Sequence, residues 1–245
     1  MTKQALIYER PVPITKERHG KWAVRKVSDY GFASELNAVP LVTQEFTMAG
    51  REYPVVFTRA GEKYVANALL GLRDAENLII EKTGKWLGSY VPAFLRRYPF
   101  VFSHNDEQKT YTFCIDEDAS VAGEHADGQR LFDDDGNETS FFDSMLSFTK
   151  RFQKAVQDTE AFCSRLQDLD LIVESEVSFT LPTGEKARTK GFSAVDRDRL
   201  NELEPDVVDR LFRSGDLELI HMHLASLRSF DDLLHDLPKD TPTLN

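Results

Sequence analysis

Met145, Phe148, Phe152, Val156, Thr159, Cys163 and Leu166 recur at steps of three and four, while Lys150, Lys154 and Asp158 fall off that stripe. This period predicts a long amphipathic helix, with Thr139 or Ser140 as its N-cap. Most of the stability of such a helix comes from burying its stripe. The rest of the chain must therefore supply an apolar surface for it.

The preceding segment is not helical. From Val39 to Ile80 the apolar residues fall in short runs, VPLVTQEF, YPVVFTR, YVANALLG and NLIIE, punctuated by Gly50, Gly61 and Gly71. Runs this short and this rich in Val, Ile, Phe and Tyr read as strands. Phe100 to Ser103 and Thr110 to Ile115 read as a hairpin closed by a loop at 104–107, and Leu171 to Leu181 with Lys186 to Phe192 as another around Pro182-Thr183-Gly184. Residues 116–140, dense in Asp, Glu and Gly, read as a solvated loop with little to bury beyond Leu131 and Phe132. The last third is helical, with Pro205 at a first helical position, Gly215 as a stop, and Leu217, Ile220, Leu224 and Leu227 as a stripe.

Strands first and helices later, without βα alternation, point to an α+β fold: an antiparallel-rich β-sheet core with a long amphipathic helix and a C-terminal helical segment. The chain reads as one domain over 1–245. It comprises an irregular N-terminal lead (1–37, with one strand at Trp22 to Val27), a β-rich part (38–115), an acidic loop (116–140), and a helix, hairpin and C-terminal helices (141–238). The 17 phenylalanines signal an aromatic-rich core.

A formal net charge of −11 argues against nucleic acid as a partner. No apolar run approaches the ~20 residues of a membrane span, and the N-terminus lacks a signal-peptide core, so a cytoplasmic location is expected unless a dedicated system exports the chain. Cys114 and Cys163 lack metal or redox spacing and read as small buried hydrophobes.

Several blocks resemble the SapC family: Asn37 to Leu41, Tyr53 to Phe57, Leu69 to Leu72 with Glu76 to Leu78, and above all Gly84-Lys-Trp86, Tyr90-Val-Pro-Ala93 and Arg96-Arg-Tyr-Pro-Phe100. Cys114 to Asp116, Gly191-Phe192 and Ser214-Gly215 extend the resemblance along almost the whole chain. It implies a bacterial protein with a connection to surface-layer biogenesis. It supplies no catalytic motif.

Trp86, Tyr90, Arg96, Arg97 and Tyr98 combine two guanidinium forks with aromatic faces, a composition suited to holding a carboxylate, a phosphate or a peptide terminus. The plainer reading is a core aromatic cluster with one Arg paired to an acid. His221 and His223 would share a face on a strand but lie about 200° apart on the helix predicted here, so no metal is expected of them. His19, His104, His125 and His235 read as exposed loop residues. Asp133 to Glu138 superficially matches a calcium loop, but Gly136 stands at the fourth position and no Glu follows at the twelfth; a tight Asp-Gly turn fits better. GxSxG, GxxxxGK[ST] and GxGxxG are absent, and no cofactor is implied. The expected function is a non-catalytic binding or accessory protein recognising a peptide, a surface component or a partner enzyme. The alternative is an enzyme of hydrolase or peptidase class, with Glu45 or Asp116 facing the arginine pair.

Overall fold

The 145–166 stripe lies on helix α4 (Ser140–Asp168), whose N-cap is Thr139, its Oγ1 accepting from the Phe142 amide at 3.3 Å. The computed structural model describes residues 7–105, 110–180 and 186–235. The surface that α4 needs is a five-stranded sheet of β3 (Ala38–Pro40), β4 (Val55–Ala60), β5 (Lys63–Leu69), β10 (Ile172–Thr180) and β11 (Lys186–Val195). Its order is β10-β11-β4-β5-β3, with every neighbour antiparallel. Phe162 of α4 joins the two layers, with ring centroids 6.4 Å from Phe57 and 6.1 Å from Phe46.

A second sheet sets β1 (Pro11–Pro13), β7 (Thr110–Asp116) and β6 (Phe100–Asn105) side by side, β7 in the middle. A third, of two-residue strands, pairs β2 (Ala23–Val24) with β8 (Ala122–Gly123) and β9 (Gln129–Arg130). Short helices complete the chain: α1 (Lys16–His19), α2 (Phe46–Ala49), α3 (Ala93–Arg96), α5 (Arg197–Asn201), α6 (Pro205–Ser214), α7 (Asp216–Ser226) and α8 (Phe230–His235). Pro205 opens α6, and Gly215 closes it in the left-handed region at φ 81°. Antiparallel sheets with one long helix and a helical C-terminal segment make this an α+β fold.

Five expectations are corrected. The run from Val39 to Phe46 is a strand only at its start; Thr43–Glu45 is a 3-10 turn leading into α2, and the buried Glu45 carboxylate accepts from the Val42 amide at 3.2 Å. Asn77 to Glu81 forms no strand, because the Asn77 side chain organises it as a loop: Nδ2 donates to the Ala33 carbonyl, and Oδ1 accepts from the Ile79 amide. The N-terminal lead, expected to be irregular but for one strand, also carries β1 and α1, and the Asp116 carboxylate anchors its start by accepting the amides of Glu9 and Arg10 at 2.9 and 2.8 Å. The strand expected at Trp22 to Val27 shrinks to Ala23–Val24. The 116–140 segment also buries more than expected, including Asp116, Ala119 and Ala122. Of the expected hairpin loops, 106–109 and 181–185 lie outside the described residues, while His104 and Asn105 belong to β6.

The two halves of the five-stranded sheet share a single ladder position, Ser193 of β11 opposite Phe57 of β4. The next rung would join Val195 to Val55, and there the imidazole of His223, from α7, stands between the strands. Its Nε2 accepts from the Val195 amide at 3.0 Å, and its Nδ1 donates to the Val55 carbonyl at 2.7 Å. Ser226 completes the substitution by accepting from the Val55 amide at 2.9 Å. Those bonds require one neutral tautomer, and burial pushes the His223 pKa down from 6.5 to about 4.

A depressed His pKa favours folding while the ring is neutral, so this contribution is complete above the unfolded value and lost as pH falls from 6.5 through 4. A depression of this size corresponds to about 3 kcal/mol. In His223→Gln, which cannot titrate, the stability deficit against the native chain should shrink between pH 7 and pH 4.5 in urea melts. Parallel curves for the two proteins would sink this assignment.

Candidate functional site

The five residues singled out between Trp86 and Tyr98 are divided by the fold. α3 is one turn long, and adjacent residues on it point about 100° apart. Arg96 therefore stays at the surface while Arg97, 1% exposed, turns inward.

Arg97 lies among rings. Its Cζ is 4.8 Å from the centroids of both Phe94 and Phe152 and 5.5 Å from that of Tyr8. Its Nε and Nη2 are buried without a hydrogen-bond partner among the described residues. Burial lowers the Arg97 pKa from its usual value and raises that of Tyr8 to about 12. Tyr98 connects this cluster to Trp86 through an aromatic chain: Tyr8 to Tyr98 at 5.8 Å, Tyr98 stacked on Phe32 at 4.1 Å, Phe32 to Tyr30 at 6.0 Å, and Tyr30 to Trp86 at 5.5 Å. The indole of Trp86 donates to the Tyr90 carbonyl at 3.1 Å and to the Tyr53 hydroxyl at 3.2 Å. Gly88 is required there, since a Cβ would sit 2.0 Å from that hydroxyl.

Tyr90 and Arg96 form the surface part of the block. Glu45, almost wholly buried, receives the Tyr90 hydroxyl at 2.7 Å and the Ala93 amide at 2.7 Å, and so satisfies the start of α3 from a distant turn. Tyr90 in turn accepts from Arg96 Nη2 at 3.2 Å, and Arg96 Nε donates to the Val91 carbonyl at 2.8 Å. The guanidinium is held over the rings of Tyr90, at 5.5 Å, and Phe148, at 5.4 Å. Its side chain remains 44% exposed, with Glu45 3.8 Å away. Burial, followed by the bond to Glu45, raises the pKa of the Tyr90 hydroxyl. The result is a cation fixed by aromatic and backbone contacts, with its outer edge free to meet an acidic group.

The other sequence candidates divide between structural roles and the surface. His221 is exposed and His223 buried, as the helical reading requires. His19, expected on an exposed loop, is fully buried. Its Nδ1 accepts from the Thr15 amide, and its Nε2 reaches Glu117 at 3.1 Å. Arg10 and Arg18 close on the same Glu117, and the hydrogen bond from Arg18 is the main cause of its carboxyl lying below the usual carboxylate range. No sequence signal marks this cluster, because its partners are about a hundred residues apart. His104 is exposed on β6 against Tyr111, and His125 is half-buried. Asp133 accepts from the Asn137 amide at 2.8 Å around Gly136, the tight turn expected. Cys114 and Cys163 are free and buried. Among the described residues no group of three or more His, Cys, Asp or Glu side chains is placed to hold a metal, and no helix is long and apolar enough to cross a membrane.

Arg97 poses a balance that mutation can weigh. Two unpartnered donors cost about 1–3 kcal/mol each, and each buried cation–ring contact returns about 2 kcal/mol. Arg97→Met keeps the volume, removes the charge and should leave stability within about 1 kcal/mol of native. Arg97→Ala opens a cavity and should cost about 3 kcal/mol. Urea denaturation checks both, and equal losses would show that the core needs the charge rather than the volume.

Comparison with curated proteins finds no match, and none is found among solved structures. The SapC family pattern matches residues 14–233, a span that takes in every strand and helix described above from α1 through α7. The chain belongs to the SapC family.

Proposed function

We propose that this SapC-family chain is a non-catalytic accessory protein that recognises an acidic group on a peptide or protein partner through Arg96 and Tyr90. The observation that carries this reading is the state of Arg96: clamped from within by Val91, Tyr90 and Phe148, yet open at its outer edge. A guanidinium held in place loses little side-chain entropy on meeting a carboxylate, and its planar fork matches that group. The surface-layer connection implied by the family resemblance is the setting we assign to this recognition.

The alternative, an enzyme built on the same carboxylate and arginine, draws on the closeness of Glu45 to Arg96. Against it, both Glu45 oxygens already accept hydrogen bonds from the protein, and the side chain is 5% exposed. A general base must reach the proton that it removes.

Titration of a capped Gly-Gly-Asp-Gly-Gly peptide into the labelled protein should move the Arg96 Nε–H resonance. Arg96→Ala should weaken binding about tenfold. Its stability should change by less than about 1 kcal/mol, since the lost ion pair is solvent-screened. An unmoved resonance at millimolar peptide sinks the recognition reading. Hydrolysis of the peptide by the native chain, abolished in Glu45→Gln, would establish the enzymatic one.

A further inference from the structure

Beyond Phe57 and Ser193, in the direction away from His223, β4 and β11 form no further ladder pair. β11 is turned aside by a bulge: its pairing with β10 shifts between Ser175 and Val177, where Lys190 and Gly191 stand opposite Glu176. Gly191, the second of the two, takes φ 89°, in the left-handed region open to glycine, and bulges bend the strand that carries them. Nothing lies within 4 Å of where a Gly191 Cβ would be. A cleft of about 550 Å³ lies here, floored by Gly191 and Ser193 of β11 and walled by Arg59 and Tyr64 on one side and by Glu174 to Glu176 of β10 on the other.

Backbone alternation determines what faces this cleft. Phe57 pairs with β11, so two residues on, Arg59 also directs its N–H and C=O to the β11 side, where the ladder has already ended. The Arg59 guanidinium lies over the Tyr64 ring at 5.9 Å and has no carboxylate partner among the described residues. Across the cleft, Glu176 is engaged by Arg188 and Lys190. The other end of the same split already accepts a foreign hydrogen-bonding group, the His223 imidazole.

We propose that the cleft between β4 and β11 is a second binding site, which takes an extended peptide segment whose backbone continues the ladder at Arg59 and whose acidic side chain meets the Arg59 guanidinium. Strand addition at an open edge draws affinity from main-chain hydrogen bonds and specificity from the side chains beside them. The volume accommodates three or so residues; Arg59 makes an acidic residue the complement on the β4 side, and the exposed Glu174 on the β10 rim, which has no ion-pair partner among the described residues, favours a basic one there. The site is independent of Arg96.

The test uses hydrogen exchange on the whole protein with a capped Thr-Val-Thr-Asp-Thr-Val-Thr peptide at millimolar concentration. The expected result is slower exchange at residues 58–60 and 190–192, lost when the central amides of the peptide are N-methylated and reduced about fivefold in affinity in Arg59→Ala. The Arg96→Ala variant should retain this binding, which separates failure here from failure at the other site. Unchanged exchange overturns the proposal, as does equal binding of the N-methylated peptide. Protection that rises with protein concentration in the absence of peptide overturns it too, by identifying a second copy of the chain as the occupant.

Discussion

His223 holds together two hairpins that the backbone alone joins at one point. In an ordinary antiparallel sheet the rungs repeat every second residue, and their number makes any one dispensable. Here the rung at Val55 and Val195 is an imidazole, and the one beyond Phe57 and Ser193 is missing. β10 and β11 therefore depend on α7 for their attachment to β4, and α7 depends on the sheet to satisfy a buried ring. The bidentate contact of Arg165 with the buried Asp216, at 2.6 and 2.7 Å, fixes the start of α7 to α4. Helix and sheet thus lock each other, and the ring's neutrality is a condition of that lock.

A different economy governs the Trp86 to Tyr98 block. Its rings join Tyr30, Phe32 and Tyr8 in a continuous, largely buried chain that ends on Arg97, and Glu45 organises the turn from which Arg96 emerges. Thr43, in the same turn as Glu45, donates its amide to Thr159 on α4 at 2.9 Å. The surface cation is consequently placed by the main helix through two hydrogen-bonded steps rather than by a loop of its own.

How much of this was legible in the sequence depended on where each signal resides. The α4 stripe, the hairpins and the α6 boundaries were readable because burial imposes a period and because proline and glycine act locally. The run from Val39 to Phe46 misled because a short apolar segment buries equally well as a strand or as a turn, and what decides is Glu45 reaching the Ala93 amide, a contact across nearly fifty residues. Arg96 and Arg97 looked like a pair because they are adjacent, whereas a helical turn separates adjacent residues in space. The burial of His19 rests on Glu117, and the role of His223 rests on two strands that it does not neighbour in sequence. Composition located the aromatic block correctly but could not say which members face water.

The first strand brings one more consequence, concerning how the protein is kept from sticking to its copies. Ile14 donates its amide to Phe113 across the β1–β7 pair, so the even-numbered positions of this stretch face inward and positions 11 and 13 face the outside of the sheet. Both are proline, which has no amide hydrogen to offer. An exposed sheet edge is a template for runaway association. This one is finished with two residues that offer an incoming strand no N–H, so half of the hydrogen bonds that would extend the β1-β7-β6 sheet through that side cannot form.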